Sequence, residues 1–167
     1  MSVDVFVADE QHAQPIDVAR WAQLARLVLT ARGVKGDTEV SLLFVEEDAI
    51  AALNEQFLGK TGPTDVLSFP IDDEPGPTGR SPDLGGSGPG TAAENGVLTL
   101  LGDVVICPTV AARNATEHQV SVDDELALLV VHGLLHLLGM DHDEDAEAER
   151  MEELEQQLLD RFYRMPR

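Results

Sequence analysis

Three of the five histidines fall within eleven residues, and their spacing limits how this part of the chain can fold. His132 and His136 are four residues apart in an apolar run, so a helix would place their imidazoles one above the other on the same face. Gly139 follows and is expected to end that helix. The chain can then turn back, which would let His142 approach the first two rings.

Such a trio predicts a metal site, since two imidazoles at i and i+4 can share one ion. Three neutral nitrogen ligands leave a fourth position open on a tetrahedral ion, which is typical of a catalytic zinc site. We therefore predict one Zn²⁺ held by His132, His136 and His142, with nickel, copper or iron as alternatives. The ion would lower the pKa of a water toward about 7 and make hydroxide available. The alternative to a metal ligand is a histidine hydrogen-bonded within the core, which would be the simpler interpretation of a single histidine on a helix.

The spacing also resembles the metalloprotease pattern H-E-x-x-H-x-x-G-x-x-H, with one decisive difference. Gly133 stands where those enzymes carry the glutamate that deprotonates the attacking water, so proteolysis by that route lacks its general base. Asp141, beside the third histidine, is interpreted either as a hydrogen-bond partner behind the metal ligands or as a helix cap.

The hydrophobic patterning of the whole chain predicts one α+β domain over residues 1–167, because strands and helices mix without regular βαβ alternation. Ser121 is expected to cap the helix that carries the histidines, and Thr64 and Asp65 to turn the chain into a strand. A Gly/Pro-rich segment at about 72–96 is interpreted as a flexible insertion. The predicted strands are 3–7, 39–45, 65–69, 98–101 and 104–106, and the predicted helices are 16–32, 46–57, 108–118, 123–138 and 144–161.

Charge argues against simple nucleic-acid binding, since 11 basic and 31 acidic residues give a net charge of −20. Such a chain repels nucleic acid unless basic residues or a metal ion are concentrated locally. The acids that crowd the start of the last helix are interpreted as a solvated face. Aromatic residues make up only 4%, so platforms for base stacking are expected to be scarce.

The remaining features predict a soluble cytoplasmic protein with no membrane partner, since no apolar run is long enough to span a bilayer and residues 1–10 lack the basic start and apolar stretch of a signal peptide. A single cysteine, Cys107, suggests a reducing compartment and is expected to be a small buried hydrophobe. His12 and His118 are expected to be isolated surface residues.

Residues 132–142, HGLLHLLGMDH, resemble the H-G-x-L-H-L-x-G-[YH]-D-H signature of the YbeY family of bacterial zinc-dependent, single-strand-specific endoribonucleases. Two further blocks are similar to that family and follow its order. One is Leu53-Asn54 with residues 62–70, GPTDVLSFP, and the other is residues 101–106, LGDVVI. The resemblance covers the chain from about residue 40 to 159.

The resemblance implies an α+β fold with a small mixed four-stranded sheet, about five helices and a zincin-like site in which zinc is held by His132, His136 and His142. It implies hydrolysis of a phosphodiester bond in single-stranded ribosomal RNA, in maturation of the 3′ end of small-subunit RNA and in ribosome quality control. The small ribosomal subunit or assembly factors would be partners. The alternatives are a metal-dependent hydrolase of a peptide or small ester, and a non-catalytic ribosome-assembly factor with a structural metal.

One difference from the family concerns phosphate binding. Many members carry an arginine four positions after the asparagine of L-N, where this chain has Leu58. Lys60 could supply that charge as a phosphate contact, or it could be a solvated loop residue. A positive strip is expected to guide RNA if the first helix and Lys60 border the metal cleft. Besides Lys60, this positive strip would consist of Arg20, Arg26, Arg32 and Lys35, which lie in or just after the first helix.

Overall fold

The computed structural model describes residues 3–34, 37–71, 99–140 and 145–164. Within these ranges it contains four strands and five helices, which confirms the predicted α+β class. In chain order they are β1 (Val3–Glu10), α1 (Val18–Ala31), β2 (Thr38–Val45), α2 (Glu47–Leu58), β3 (Val66–Pro70), β4 (Thr99–Ile106), α3 (Pro108–His118), α4 (Val122–Leu137) and α5 (Asp145–Phe162). The predicted insertion at 72–96 lies outside the described residues.

The four strands form one mixed sheet in the order β1-β2-β4-β3. The pairs β1–β2 and β2–β4 are parallel, whereas β3 runs antiparallel to β4. Strand β3 therefore lies at one edge of the sheet and β1 at the other. This order matters for the candidate site, because the histidine-bearing helix packs next to β3.

The two segments predicted as separate strands on either side of Gly102 and Asp103 form one strand, β4, with a bulge. Glu39 of β2 pairs with Leu100, whereas Val40 pairs with Gly102, so Leu101 is the extra residue. Gly102 has a φ of +141°, and a Cβ there would lie 2.5 Å from the backbone oxygen of Phe69. The glycine allows β4 to bend without breaking its pairing, and the prediction of a break was therefore wrong.

Both faces of the sheet are covered, as the alternation along β2 requires. Val40, Leu42 and Phe44 join the larger core with α1, α4 and α5. Val45 joins a smaller cluster with Ile50 of α2 on the opposite face, which also contains the fully buried Cys107. Burial raises the pKa of the Cys107 thiol, so the residue behaves as the small hydrophobe that was predicted.

Helix α4 begins and ends at the residues that the sequence indicates. The Ser121 side chain accepts a hydrogen bond from the Asp124 amide at 3.0 Å, and three acidic residues occupy the first turn. Gly139 follows the helix with a φ of +98° and ends it. Among the helices of the described residues, none is long and apolar enough to cross a membrane.

Candidate metal centre

The two histidines of α4 meet on one face of the helix. The Nε2 atoms of His132 and His136 are 3.1 Å apart, and their ring centroids are 4.6 Å apart. Both side chains are half-buried between α4 and the edge of the sheet. Ring nitrogens this close either share a proton in a hydrogen bond or share a cation.

The other two predicted site residues cannot be placed beside this pair. His142 and Asp141 lie outside the described residues, so the three-histidine site and the role of Asp141 stay predictions. Within the described ranges there is no group of three or more His, Cys, Asp or Glu side chains that could hold a metal ion.

A buried carboxylate that sequence reasoning missed contacts the pair. The Nδ1 atom of His132 is hydrogen-bonded to Oε2 of Glu155, which lies on α5 and is only 5% exposed. An ionised carboxylate only accepts hydrogen bonds, so Nδ1 donates. A neutral His132 then carries its lone pair on Nε2, the atom that approaches His136. Carboxylates orient metal-binding histidines in this way in many metal sites.

The position of Glu155 on its helix was the signal that could have revealed it. It lies on the same stripe as Met151, Leu158 and Leu159, all of which are buried. Most acids of α5 are exposed to solvent, but Glu155, which lies beyond the first turns of the helix, is buried. A carboxylate within an apolar helical stripe needs a buried partner, and here the partner is His132.

Gly133 lets α4 approach the sheet at the histidines. A Cβ on this residue would lie 2.5 Å from Cγ1 of Val104, closer than real Cβ contacts. The Ser68 hydroxyl of β3 also donates a hydrogen bond to the Gly133 carbonyl at 3.0 Å. The position therefore has no room for the glutamate that a metalloprotease would carry there.

A groove of about 590 Å³ opens beside the two imidazoles. Its walls are the end of α2, at Phe57 and Leu58, and the edge of the sheet at residues 65–70, while His132 and His136 form its third side. The groove is largely apolar, and among the described residues that line it Asp65 is the acidic one. The Asp65 carboxylate also accepts a hydrogen bond from Asn114 at 3.2 Å.

A smaller cavity, of about 400 Å³, shares Asp65 and His132 with this groove and reaches toward α5. His118 borders it and was predicted to be isolated, but its Nδ1 atom lies 2.9 Å from Oε1 of Glu125. Glu125 is only 3% exposed, whereas the His118 side chain is 56% exposed. The hydrogen bond and the charge of Glu125 raise the pKa of His118.

The expected positive strip does not border the groove. None of the described residues that line the groove is Lys or Arg, and none belongs to α1. Helix α1 packs against β1, at the opposite edge of the sheet, and against α4, where Arg20 pairs with Asp123 of the first turn at 2.8 Å. Lys60 is exposed in the turn after α2 and is not among the lining residues, although Leu58 is. Lys35 lies outside the described residues.

Comparisons with known proteins agree with the fold and with the family resemblance. A family model described as Endoribonuclease YbeY matches residues 6–163. Endoribonuclease YbeY of Thermobifida fusca is 46% identical over 160 residues, which cover 95% of this chain and 92% of the relative. Endoribonuclease YbeY of Frankia casuarinae is 45% identical over 155 residues, which cover 93% of this chain and 72% of the relative. The solution structure of TM1509 from Thermotoga maritima superimposes with a TM-score of 0.60 at 25% identity, covering 95% of this chain and 89% of that one.

Proposed function

The chain belongs to the endoribonuclease YbeY family and is therefore a hydrolase that cleaves RNA, and we propose that it does so with one zinc ion held by His132, His136 and His142. The proposed substrate is single-stranded ribosomal RNA, cleaved in the cytoplasm during maturation of the 3′ end of small-subunit RNA. The approach of the His132 and His136 Nε2 atoms to 3.1 Å is the observation that carries the proposal.

The donor set fits zinc. Two nitrogen ligands about 2.0–2.1 Å from a tetrahedral ion would be roughly 3.3–3.4 Å apart, close to the observed separation. Imidazole nitrogens are ligands that zinc prefers, and the Glu155 carboxylate directs the His132 lone pair toward His136. The third ligand is proposed from the spacing of His142, and Asp141 stays a candidate hydrogen-bond partner or helix cap.

The chemistry that zinc supplies when bound is Lewis acidity toward a phosphoryl oxygen and a lowered pKa for water. The chain's own residues prepare the site for it. Glu155 holds the Nδ1 proton of His132, which fixes the ring's tautomer and orientation. Gly133 brings the helix against β3 and β4, so the imidazoles face the groove.

Because of the charge of the groove, we expect RNA binding, and not only RNA cleavage, to depend on the metal ion. The described residues along the groove provide no Lys or Arg to oppose the phosphates, and the whole chain carries a net charge of −20. Positive charge at the reacting phosphate must then come mainly from the cation. Lys60 is the proposed additional phosphate contact, because it is exposed two residues beyond Leu58. A ribosomal subunit or assembly factor is proposed to supply the sequence selectivity.

The experiment compares metal content and cleavage of a single-stranded RNA for the wild type, His136→Ala and His12→Ala. His12 is exposed outside the groove and serves as the matched control. We expect about one zinc per chain and cleavage for the wild type and the control, and loss of both for His136→Ala. The thermal midpoints of the metal-free proteins should be unchanged, since bound zinc would itself stabilise the fold. Chelation should abolish cleavage and added zinc should restore it.

Equal cleavage by the wild type and His136→Ala would overturn the proposal. Bound zinc without cleavage, together with co-sedimentation with ribosomal subunits, would favour an assembly factor with a structural metal. Cleavage of peptides or small esters in place of RNA would favour a different hydrolase.

A further inference from the structure

The groove beside the imidazoles carries an exposed aromatic patch. Phe57, at the end of α2, is 55% exposed, and its ring meets that of Phe69 edge to face with centroids 5.2 Å apart. Leu58 is 52% exposed on the same wall. All three side chains line the groove with His132 and His136. The patch is therefore continuous with the site at which the phosphodiester bond is proposed to break.

The surroundings of Phe57 favour a flat, uncharged ligand. Among the described lining residues the acidic side chain is that of Asp65, and a carboxylate repels a phosphate group. The edge-to-face contact with Phe69 limits the freedom of the Phe57 ring. A nucleobase has an aromatic face of matching shape, and stacking tolerates any base because every base has such a face.

We propose that Phe57 stacks on an unpaired base of the RNA adjacent to the phosphate that is cleaved. The inference rests on the proposed function, since it takes the groove at His132 and His136 to be the RNA-cleaving site. It also gives a physical origin for single-strand preference, because a base inside a duplex is covered on both faces by its neighbours. The chain is poor in aromatic residues, as its composition indicates, but two of them lie in this groove.

The test compares Phe57→Leu, Phe57→Trp and Phe6→Leu. Phe6 is the matched control, because it is 56% exposed but lies on β1, at the sheet edge opposite β3. The zinc-loaded proteins are assayed for KM and kcat on a short single-stranded RNA. They are also titrated into the same RNA carrying 2-aminopurine next to the cleavage site, whose fluorescence is quenched when the base stacks.

We expect Phe57→Leu to raise KM by roughly fivefold to a hundredfold with kcat nearly unchanged, and to abolish the quenching. Phe57→Trp should retain both, since an indole also stacks, and Phe6→Leu should match the wild type. Thermal unfolding of each variant checks that the fold is intact.

Equal KM values and equal quenching for Phe57→Leu and Phe6→Leu, on an enzyme that cleaves RNA, would overturn the inference and leave the proposed function standing. So would equal losses in Phe57→Leu and Phe57→Trp, because they would indicate packing of the phenyl ring and not stacking on a base. A wild type that neither cleaves nor binds the RNA would overturn the proposed function itself, and the inference with it.

Discussion

The Nδ1 atom of His132 on α4 is hydrogen-bonded to the carboxylate of Glu155 on α5, at a position where Glu155 is almost fully buried. The contact joins two helices through one of the proposed metal ligands. It also explains why an acidic residue lies among the buried apolar residues of α5, since the imidazole satisfies a carboxylate that would otherwise be costly to bury.

Glu155→Gln is expected to weaken zinc binding by roughly tenfold to a hundredfold, because a neutral amide fixes the His132 tautomer less firmly and does not raise the basicity of Nε2. Glu155→Leu should weaken it further, since leucine offers no acceptor. Competition with a chromophoric chelator measures the affinity directly and needs no RNA. Glu153→Gln is the control, because Glu153 is exposed on the same helix. Equal zinc affinities for Glu155→Gln and Glu153→Gln would contradict a positioning role for Glu155.

Gly133→Ala is expected to lower the free energy of unfolding by about 1–3 kcal/mol, because the new Cβ meets the branched side chain of Val104 at 2.5 Å. Alanine has the higher helix propensity by about 1 kcal/mol, so the steric clash must outweigh that gain. Urea denaturation measures the change. The double variant with Val104→Ala should lose at least about 0.5 kcal/mol less than the sum of the two single changes. Strict additivity would show that Val104 is not the obstacle.

His118→Gln is expected to destabilise the protein more at pH 6 than at pH 9. The hydrogen bond and charge of Glu125 raise the pKa of His118 above its usual 6.5. An imidazole with a raised folded-state pKa contributes its full stabilisation below the unfolded-state pKa, and loses it as pH rises through the folded-state value. Denaturation at both pH values measures the difference, which added salt should reduce because His118 is exposed. In a Glu125→Gln background the pH dependence of the His118→Gln effect should shrink, since only the weaker influence of Glu117 and Asp65 remains. A pH dependence of undiminished size would contradict the assignment to Glu125.

Lys60→Ala is expected to weaken binding of single-stranded RNA to a similar degree for different sequences. It should also reduce the slope of log Kd against log salt by about 0.7, the value for one phosphate contact on a single strand. Anisotropy titrations over a salt series measure both effects. Arg26→Ala is the control, because Arg26 lies on α1 and donates from Nε to the Val3 carbonyl. Identical salt slopes for the two variants would identify Lys60 as a solvated loop residue.

Local patterns in the sequence predict most elements of this fold to within a few residues. The spacing of His132 and His136, the Ser121 cap and the Gly139 stop fix α4 because each acts within one or two helical turns. The bulge at Gly102 was interpreted as a break, since the pairing that carries β4 past it comes from a distant strand.

Features that depend on tertiary packing could not be predicted in the same way. The position of β3 at the sheet edge places Phe69 beside Phe57, yet these residues belong to different elements. Glu155 is 23 residues from His132 along the chain, and only the docking of α5 brings them together. The expectation about α1 was wrong for the same reason, since sheet order decides which side of the molecule its arginines occupy.

The contact between α4 and α5 also has a consequence for the order in which the molecule matures. A nascent chain presents His132 and His136 before α5 has been synthesised, so the His132 ring first lacks the carboxylate that directs its lone pair. The oriented nitrogen pair is consequently completed only after the later helix has docked. Any tight hold of this pair on a metal ion would therefore depend on α5 and arise only once that helix has docked.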